Sequence, residues 1–253
     1  MGKSIRFTTL LVVLLLATLA CQPFPTASPQ GPAPSTEVVS APATSAPLVL
    51  PTIIEATATN PPPEMPTEPG QIFIDDFSNQ DSGWSQHYTD NADWDYYMGG
   101  YRVSVRTSGV AAVNYLMDHD YENVRLVVDA RKIGGQEENL YGLICRQEEE
   151  TSSFYAAVIS STGHYAILKL AKGESVNISK NYEQSVVINQ GLTLNLIEMS
   201  CTGNRISLTV NGVLLSEVYD NSFQIGTVGM FVTTANTESA DVLFDNFHLY
   251  LEE

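Results

Sequence analysis

Side chains of the kind that grip small ligands are gathered in one stretch of this sequence. Trp84, Trp94, Tyr96, Tyr97 and Tyr101 stand close together among polar and acidic residues. The face of an indole or phenol packs against the C–H face of a sugar ring, so a loop carrying several such rings is a candidate glycan site. Arg146, Tyr155 and Tyr165 can add hydrogen-bonding groups if their strands turn them to a shared face. Asp75 and Asp76 are a second candidate, because their hard carboxylate oxygens can meet Asp245 and hold a structural calcium ion where the two ends of the folded region pair. The alternative for these aspartates is turn capping or solvent.

Other chemistries find no matching pattern. Glu148, Glu149 and Glu150 are consecutive, so an extended backbone sends them to alternate faces, as suits a solvated loop. His87, His119, His164 and His248 are scattered without metal-ligand spacing, and there is no Gly-x-Ser-x-Gly turn or phosphate-cradling glycine loop. With 12 Lys and Arg against 29 Asp and Glu, the formal net charge is −17. Such a chain lacks the basic stripe that nucleic acid requires. The same charge favours solubility and repels an anionic lipid surface, and it can attract cations or basic partners.

The three cysteines divide by position. Lys3 and Arg6 precede an apolar run over 7–19, and Ala20 stands before Cys21, in the order of a secretory signal. That run is about 13 residues where a membrane-spanning helix needs about 20, so a cleaved signal over 1–20 is expected. Thr18-Leu19-Ala20-Cys21 resembles a bacterial lipobox, which implies lipid on Cys21 and an exported protein held at the outer face of a bacterial membrane. Its leucine stands one place late for that motif. Cys145 and Cys201 are then an even pair in an oxidising compartment, and a disulfide between them is expected. It would close a loop of about 57 residues and contribute roughly 4 kcal/mol.

These residues must be positioned by the rest of the chain. All 13 prolines lie between Pro23 and Pro69, mixed with Ala, Thr and Ser. A segment of that composition buries too little apolar surface to offset its ordering entropy, so residues 21–70 are expected to be a disordered tether. As a coil it would span roughly 40 Å, and on the order of 150 Å if fully extended. From residue 71 to 253 the pattern changes to short runs rich in Val, Ile, Leu, Tyr and Phe, divided by turn residues, which is an all-β signal. Strands are predicted over 72–77, 101–105, 111–116, 123–133, 141–147, 153–160, 165–171, 192–200, 205–210, 213–218, 228–233 and 242–251. Gly203-Asn204 and Asn211-Gly212 mark tight turns, making 192–218 a three-stranded meander. The 141–147 strand is apolar on both faces, which places it centrally. One two-layer antiparallel sandwich accounts for all of them.

The folded region is similar to the concanavalin A-like, laminin G-like jelly-roll domains. The likeness is carried by Phe73-Ile74-Asp75-Asp76-Phe77 at its start and Phe244-Asp245-Asn246-Phe247 at its end. Between them stand Tyr141-Gly142-Leu143-Ile144-Cys145-Arg146, Phe154-Tyr155, Gly163-His164-Tyr165, Leu208-Thr209-Val210-Asn211-Gly212 and Ile225-Gly226. The resemblance implies a jelly roll of two curved antiparallel sheets with first and last strands side by side. Its relatives include glucanases and sugar-binding or adhesive modules, so fold alone does not decide function. The Glu-x-Asp-x-x-Glu spacing of the retaining glucanases, which sets two carboxylates about 5 Å apart, is absent. The expectation is therefore a membrane-anchored module that binds glycan or another extracellular polymer without cleaving it. A glycoside hydrolase of the same fold and a protein-contact adhesion module are the alternatives.

Overall fold

The computed structural model describes residues 68–253 apart from 117–118, 149, 173, 180–181 and 235–237, all within the compact unit Pro61–Glu253. The expected signal peptide, Cys21 and nearly all of the expected tether lie outside the described residues. Sixteen strands are present among those described, and no helix. The first five are β1 (Gln71–Asp75), β2 (His87–Tyr88), β3 (Ala92–Tyr97), β4 (Gly100–Val105) and β5 (Ala111–Tyr115). The long β6 (Val124–Gly135) leads to β7 (Leu140–Glu148), β8 (Ser153–Ser160) and β9 (His164–Ala171). The short β10 (Glu174–Asn177) and β11 (Glu183–Gln184) precede β12 (Asn195–Thr202), β13 (Arg205–Val210) and β14 (Val213–Tyr219). The last two are β15 (Thr227–Thr233) and β16 (Ala240–Leu251).

They form two sheets with every pairing antiparallel. One runs β14-β13-β12-β6-β16-β4-β3-β2, with β1 also on β16, and the other runs β10-β9-β8-β7-β15-β5, with β11 also on β9. The first and last strands lie side by side, Phe73 facing Leu249 and Asp75 facing Phe247. The strands β12, β13 and β14 make the expected meander, turning at Asn211 (φ 50°) and Gly212 (φ 80°). Both central positions need positive φ, which Asn and Gly adopt at least cost. β7 is central, between β8 and β15, and buried at all but its last residue.

Alternation along the strands assigns the faces. Leu126, Val128, Tyr141, Leu143, Tyr155, Ile159, Ile206, Leu208, Met230 and Phe244 point between the sheets into the main core. On the other face of the seven-stranded sheet Ile144, Phe154, Ala156, Val158, Leu168 and Phe231 form a separate apolar cluster. Gly142 of β7 is required by close approach, since a Cβ there would sit 2.0 Å from the Ala157 oxygen on β8.

Cys145 of β7 and Cys201 of β12 form a disulfide that ties the two sheets across the core, with Cα atoms 6.7 Å apart. Both residues are fully buried.

Four strands escaped the sequence reading: β2, β3, β10 and β11. In β3, Ala92, Trp94 and Tyr96 pack on the core while Asp93 and Asp95 take the other face, so alternation is present but its outer positions are aspartates, which have low strand propensity. Ion pairs to β4 and its end offset that weakness. Arg102 Nε and Nη2 donate to Asp95 at 2.9 and 2.7 Å, and Arg106 pairs with Asp93.

Candidate functional site

The early aromatic residues are not brought to one exposed platform. Trp84 is 3% exposed and Tyr101 fully buried, packed with Phe77 and Phe247 in the core, where the Trp84 and Phe247 rings meet edge-on at 4.9 Å. Tyr96 lies against Tyr101 at right angles. The Tyr101 hydroxyl donates to the Ser85 oxygen at 2.5 Å and accepts from the Asn114 amide. Burial pushes that phenol far above its ordinary range. Tyr97 is half-exposed beneath the Arg102 guanidinium, 4.3 Å from its ring centre. Trp94 lies beside His87 at the sandwich edge and with it lines a cavity of ≈230 Å³ that also takes in Ser85, Val113, Asn114 and Tyr115. The rings thus divide among core, outer face and edge, with Tyr97 exposed and Trp94 and Tyr96 partly buried.

The aspartates considered for calcium are engaged in turns. Asp75 Oδ1 accepts from the Phe77 amide at 2.8 Å and Oδ2 from the Ser82 hydroxyl at 2.5 Å. Asp76 Oδ1 accepts from the Ser78 amide and hydroxyl, and these bonds hold its carboxyl below the ordinary range. Asp245 lies apart from Asp75 on the other side of the β16 bulge, with burial raising its carboxyl. Among the described residues no group of three or more His, Cys, Asp or Glu is placed to hold a metal ion. Each Asp75 carboxylate oxygen is held by a turn hydrogen bond, and the Asp76 charge adds to the rise at Asp245.

Tyr155 and Tyr165 lie at a different place, and there a groove opens. It runs between β14, the edge strand of the nine-stranded sheet, and β9 with β11 of the other. Tyr165, Ile178, Ser179 and Glu183 form one wall, and Leu215, Glu217, Tyr219 and Asp220 the other, around a volume of ≈710 Å³. A volume of that size accommodates a small ligand or two or three sugar rings.

The polar groups of the groove are arranged in pairs. Tyr165 donates its hydroxyl to Glu183 Oε2 at 2.7 Å, and burial together with that carboxylate pushes the phenol up to about 12. Tyr219, 65% exposed, donates to Glu217 Oε1 at 2.7 Å, and Arg205 Nε donates to Glu217 Oε2 at 2.6 Å. The Tyr219 hydroxyl and the guanidinium hold the Glu217 carboxyl below its ordinary range. Burial pushes Asp220 up. It is outweighed by the Lys169 ammonium at 2.7 Å, the Ser222 amide at 2.8 Å and the Tyr155 hydroxyl at 2.6 Å, which together hold Asp220 well below the carboxylate range. Tyr155 lies just beneath the groove, its own phenol raised to about 12 by burial and by Asp220.

The tyrosine hydroxyl protons here are given to carboxylates. The groove therefore presents acceptor oxygens and ring faces to donors on a ligand. Glu217 and Asp220 are ionised at neutral pH and have no proton to give.

Arg146 does not join this groove. It is 1% exposed at a bulge of β7, with φ 54°, and its guanidinium binds the main-chain oxygens of Glu122 and Phe223. Glu183, Glu217, Tyr219 and Asp220 were missed by the sequence reading. Its one available trace was Glu217 and Tyr219 at i and i+2 on one strand, which share a face.

No protein-family model and no curated protein matches the chain. Solved structures do resemble it in three dimensions. A carbohydrate-binding module, CBM66, from Bacillus subtilis superposes with a TM-score of 0.55 at 16% identity, covering 66% of this chain and 95% of that one. The catalytic domain of an endo-1,3-beta-glucanase from Thermotoga petrophila gives 0.52 at 9% identity, over 72% and 98%. A Bacillus subtilis protein with a galectin-like fold gives 0.52 at 8% identity, over 73% and 97%. At such identities the likeness speaks to architecture alone. With its two antiparallel sheets and adjoining first and last strands, the folded region of this chain is a jelly-roll sandwich, similar in architecture to those domains.

Proposed function

We propose that this protein is an exported, lipid-anchored module that binds glycan through the groove between β14 and β9. The observation that carries the reading is the pairing of ring faces with carboxylate acceptors along one groove: Tyr165 and Tyr219 beside Glu183, Glu217 and Asp220. A saccharide brings what such a groove lacks, hydroxyl donors directed outward from an apolar ring face. The protonation states of two of the groove's carboxylates support binding over hydrolysis. Glycoside cleavage needs one carboxylic acid that keeps its proton near neutral pH, and Glu217 and Asp220 are both held ionised. The fold similarity to a carbohydrate-binding module and to a glucanase domain supports a saccharide as the ligand class.

The anchoring part of the reading rests on the lipobox-like run ending at Cys21 and on the proline-rich stretch that follows. The protein would then stand at the outer face of the membrane with its sandwich held away on a tether.

A glycan array probed with the purified protein tests the binding. Saccharide binding that falls at least tenfold in Tyr219→Ala and Glu217→Gln is expected. Binding unchanged in both variants, or no saccharide bound at all, removes the groove from the account. Metabolic labelling with palmitate tests the anchor, and label that persists in Cys21→Ser overturns it.

A further inference from the structure

We propose that Arg146 anchors a second ligand site, one that receives the carboxylate of an acidic saccharide of the uronate kind. The starting point is a buried charge with no charged hydrogen-bond partner. The Arg146 Nε and Nη2 donate to the Glu122 main-chain oxygen at 3.1 and 2.8 Å, and Nη1 donates to that of Phe223 at 3.0 Å. A guanidinium has five N–H groups. These bonds engage three, which leaves one on each terminal nitrogen. Taking a cation out of water is costly unless an anion or a full set of acceptors replaces the solvent.

Arg146 lines a cavity of ≈350 Å³ at the end of the sandwich, between the turn that joins β12 to β13 and the segment following β14. Side-chain amides ring it: Asn204, Asn221 and Gln224 are exposed there, and Asn123 spends its Oδ1 on the Gly203 amide. Glu122 is the single acid in the wall; it steadies the guanidinium through its main-chain oxygen while its charge acts from farther away. Two N–H groups and one positive charge match a carboxylate, whose two oxygens accept both bonds. A phosphate dianion would leave one negative charge uncompensated in a chain of net charge −17. The surrounding amides both donate and accept, which suits ring hydroxyls.

This site is separate from the groove. The two are lined by different residues, with Asp220 on the groove and Asn221 on the cavity. A purely structural clamp between two loops would need no cavity beside the guanidinium.

Nitrogen-15 NMR of the arginine Nε–H and side-chain amide signals, with sodium glucuronate added to the purified protein, tests the assignment. A saturable shift of the Arg146 Nε–H and of the Asn204 and Gln224 amides is expected. Glucose should leave them in place. Asn204→Leu and Gln224→Leu remove side-chain amides from the cavity while leaving the main-chain acceptors of the guanidinium in place, and each should weaken the response about tenfold, as the loss of one good contact does. Arg146→Lys, if it folds, should abolish the response while keeping the charge. The inference is overturned if no shift occurs, if glucose or sulfate shifts the same signals equally, or if both wall variants respond like the unaltered protein. None of these results bears on saccharide binding in the groove.

Discussion

Removing the inter-sheet disulfide with Cys145→Ala and Cys201→Ala together should cost most of the stability that a single covalent change can remove here. The bond joins residues 56 apart in sequence and ties β7 of one sheet to β12 of the other. In the unfolded chain such a link forbids every conformation in which those positions separate, and the chain-entropy relation puts that restriction at about 4 kcal/mol. The substitutions themselves add little, because alanine keeps the Cβ and the lost sulfurs leave a small void. Urea unfolding followed by tryptophan fluorescence is a suitable assay, since Trp84 lies in the core. With a slope of about 2 kcal/mol per molar, the midpoint should fall by about 2 M. The melting temperature should drop by roughly 8–16 °C for a domain of this size. A reduced but unsubstituted protein should show the same loss, because the entropy of the open chain is what changes. A loss under about 1 kcal/mol in both would refute the loop-closure reasoning and place the stability in packing alone.

Other outcomes follow from individual contacts. Gly142→Ala forces a Cβ against the Ala157 oxygen, and thermal melting should show a loss of about 2–3 kcal/mol or failure to fold. Trp84→Ala opens a core void and should cost about 3–5 kcal/mol in urea unfolding, whereas Tyr219→Ala, at an exposed position, should change stability by less than about 0.5 kcal/mol while lowering saccharide binding. Asp220 is lowered on folding from the ordinary value of 3.8, so its contribution is complete above that value and is lost as pH falls below it. Acid titration of Asp220→Asn should therefore show a lower stability at neutral pH and a shallower decline below about pH 4 than the parent protein.

Much of the fold was legible because its signals are local. Alternation in Arg205–Val210 and the Asn211-Gly212 turn act within a few residues and need no partner to be recognised. The even cysteine pair could be counted from the sequence, and the structure joins it across the sheets. β3 was missed for a non-local reason: its aspartates are tolerated because Arg102 and Arg106 neutralise them from the neighbouring strand and its end. The aromatic stretch misled in the same way. Trp84 and Tyr101 look like ligand-binding rings in isolation, and only the arrival of Phe77, just beyond β1, and Phe247 of β16 makes them core.

The candidate site was least legible of all. Tyr165 and Glu183 are 18 residues from each other and belong to one sheet, while Glu217, Tyr219 and Asp220 come from the edge of the other. No spacing in the sequence relates them, because their proximity is created by the packing of two sheets and not by the geometry of any strand. The same holds for Arg146, whose burial depends on loops that meet it from distant parts of the chain. By itself the sequence determined an all-β domain behind a proline-rich stretch, the placing of most strands and their turns, and the residues available for a disulfide. These depend on backbone preferences and alternation, which operate over a few residues. Which rings face solvent, which carboxylates share a groove and which charge is buried were decided only when the sheets closed on each other, since burial and electrostatic environment are properties of neighbours in space.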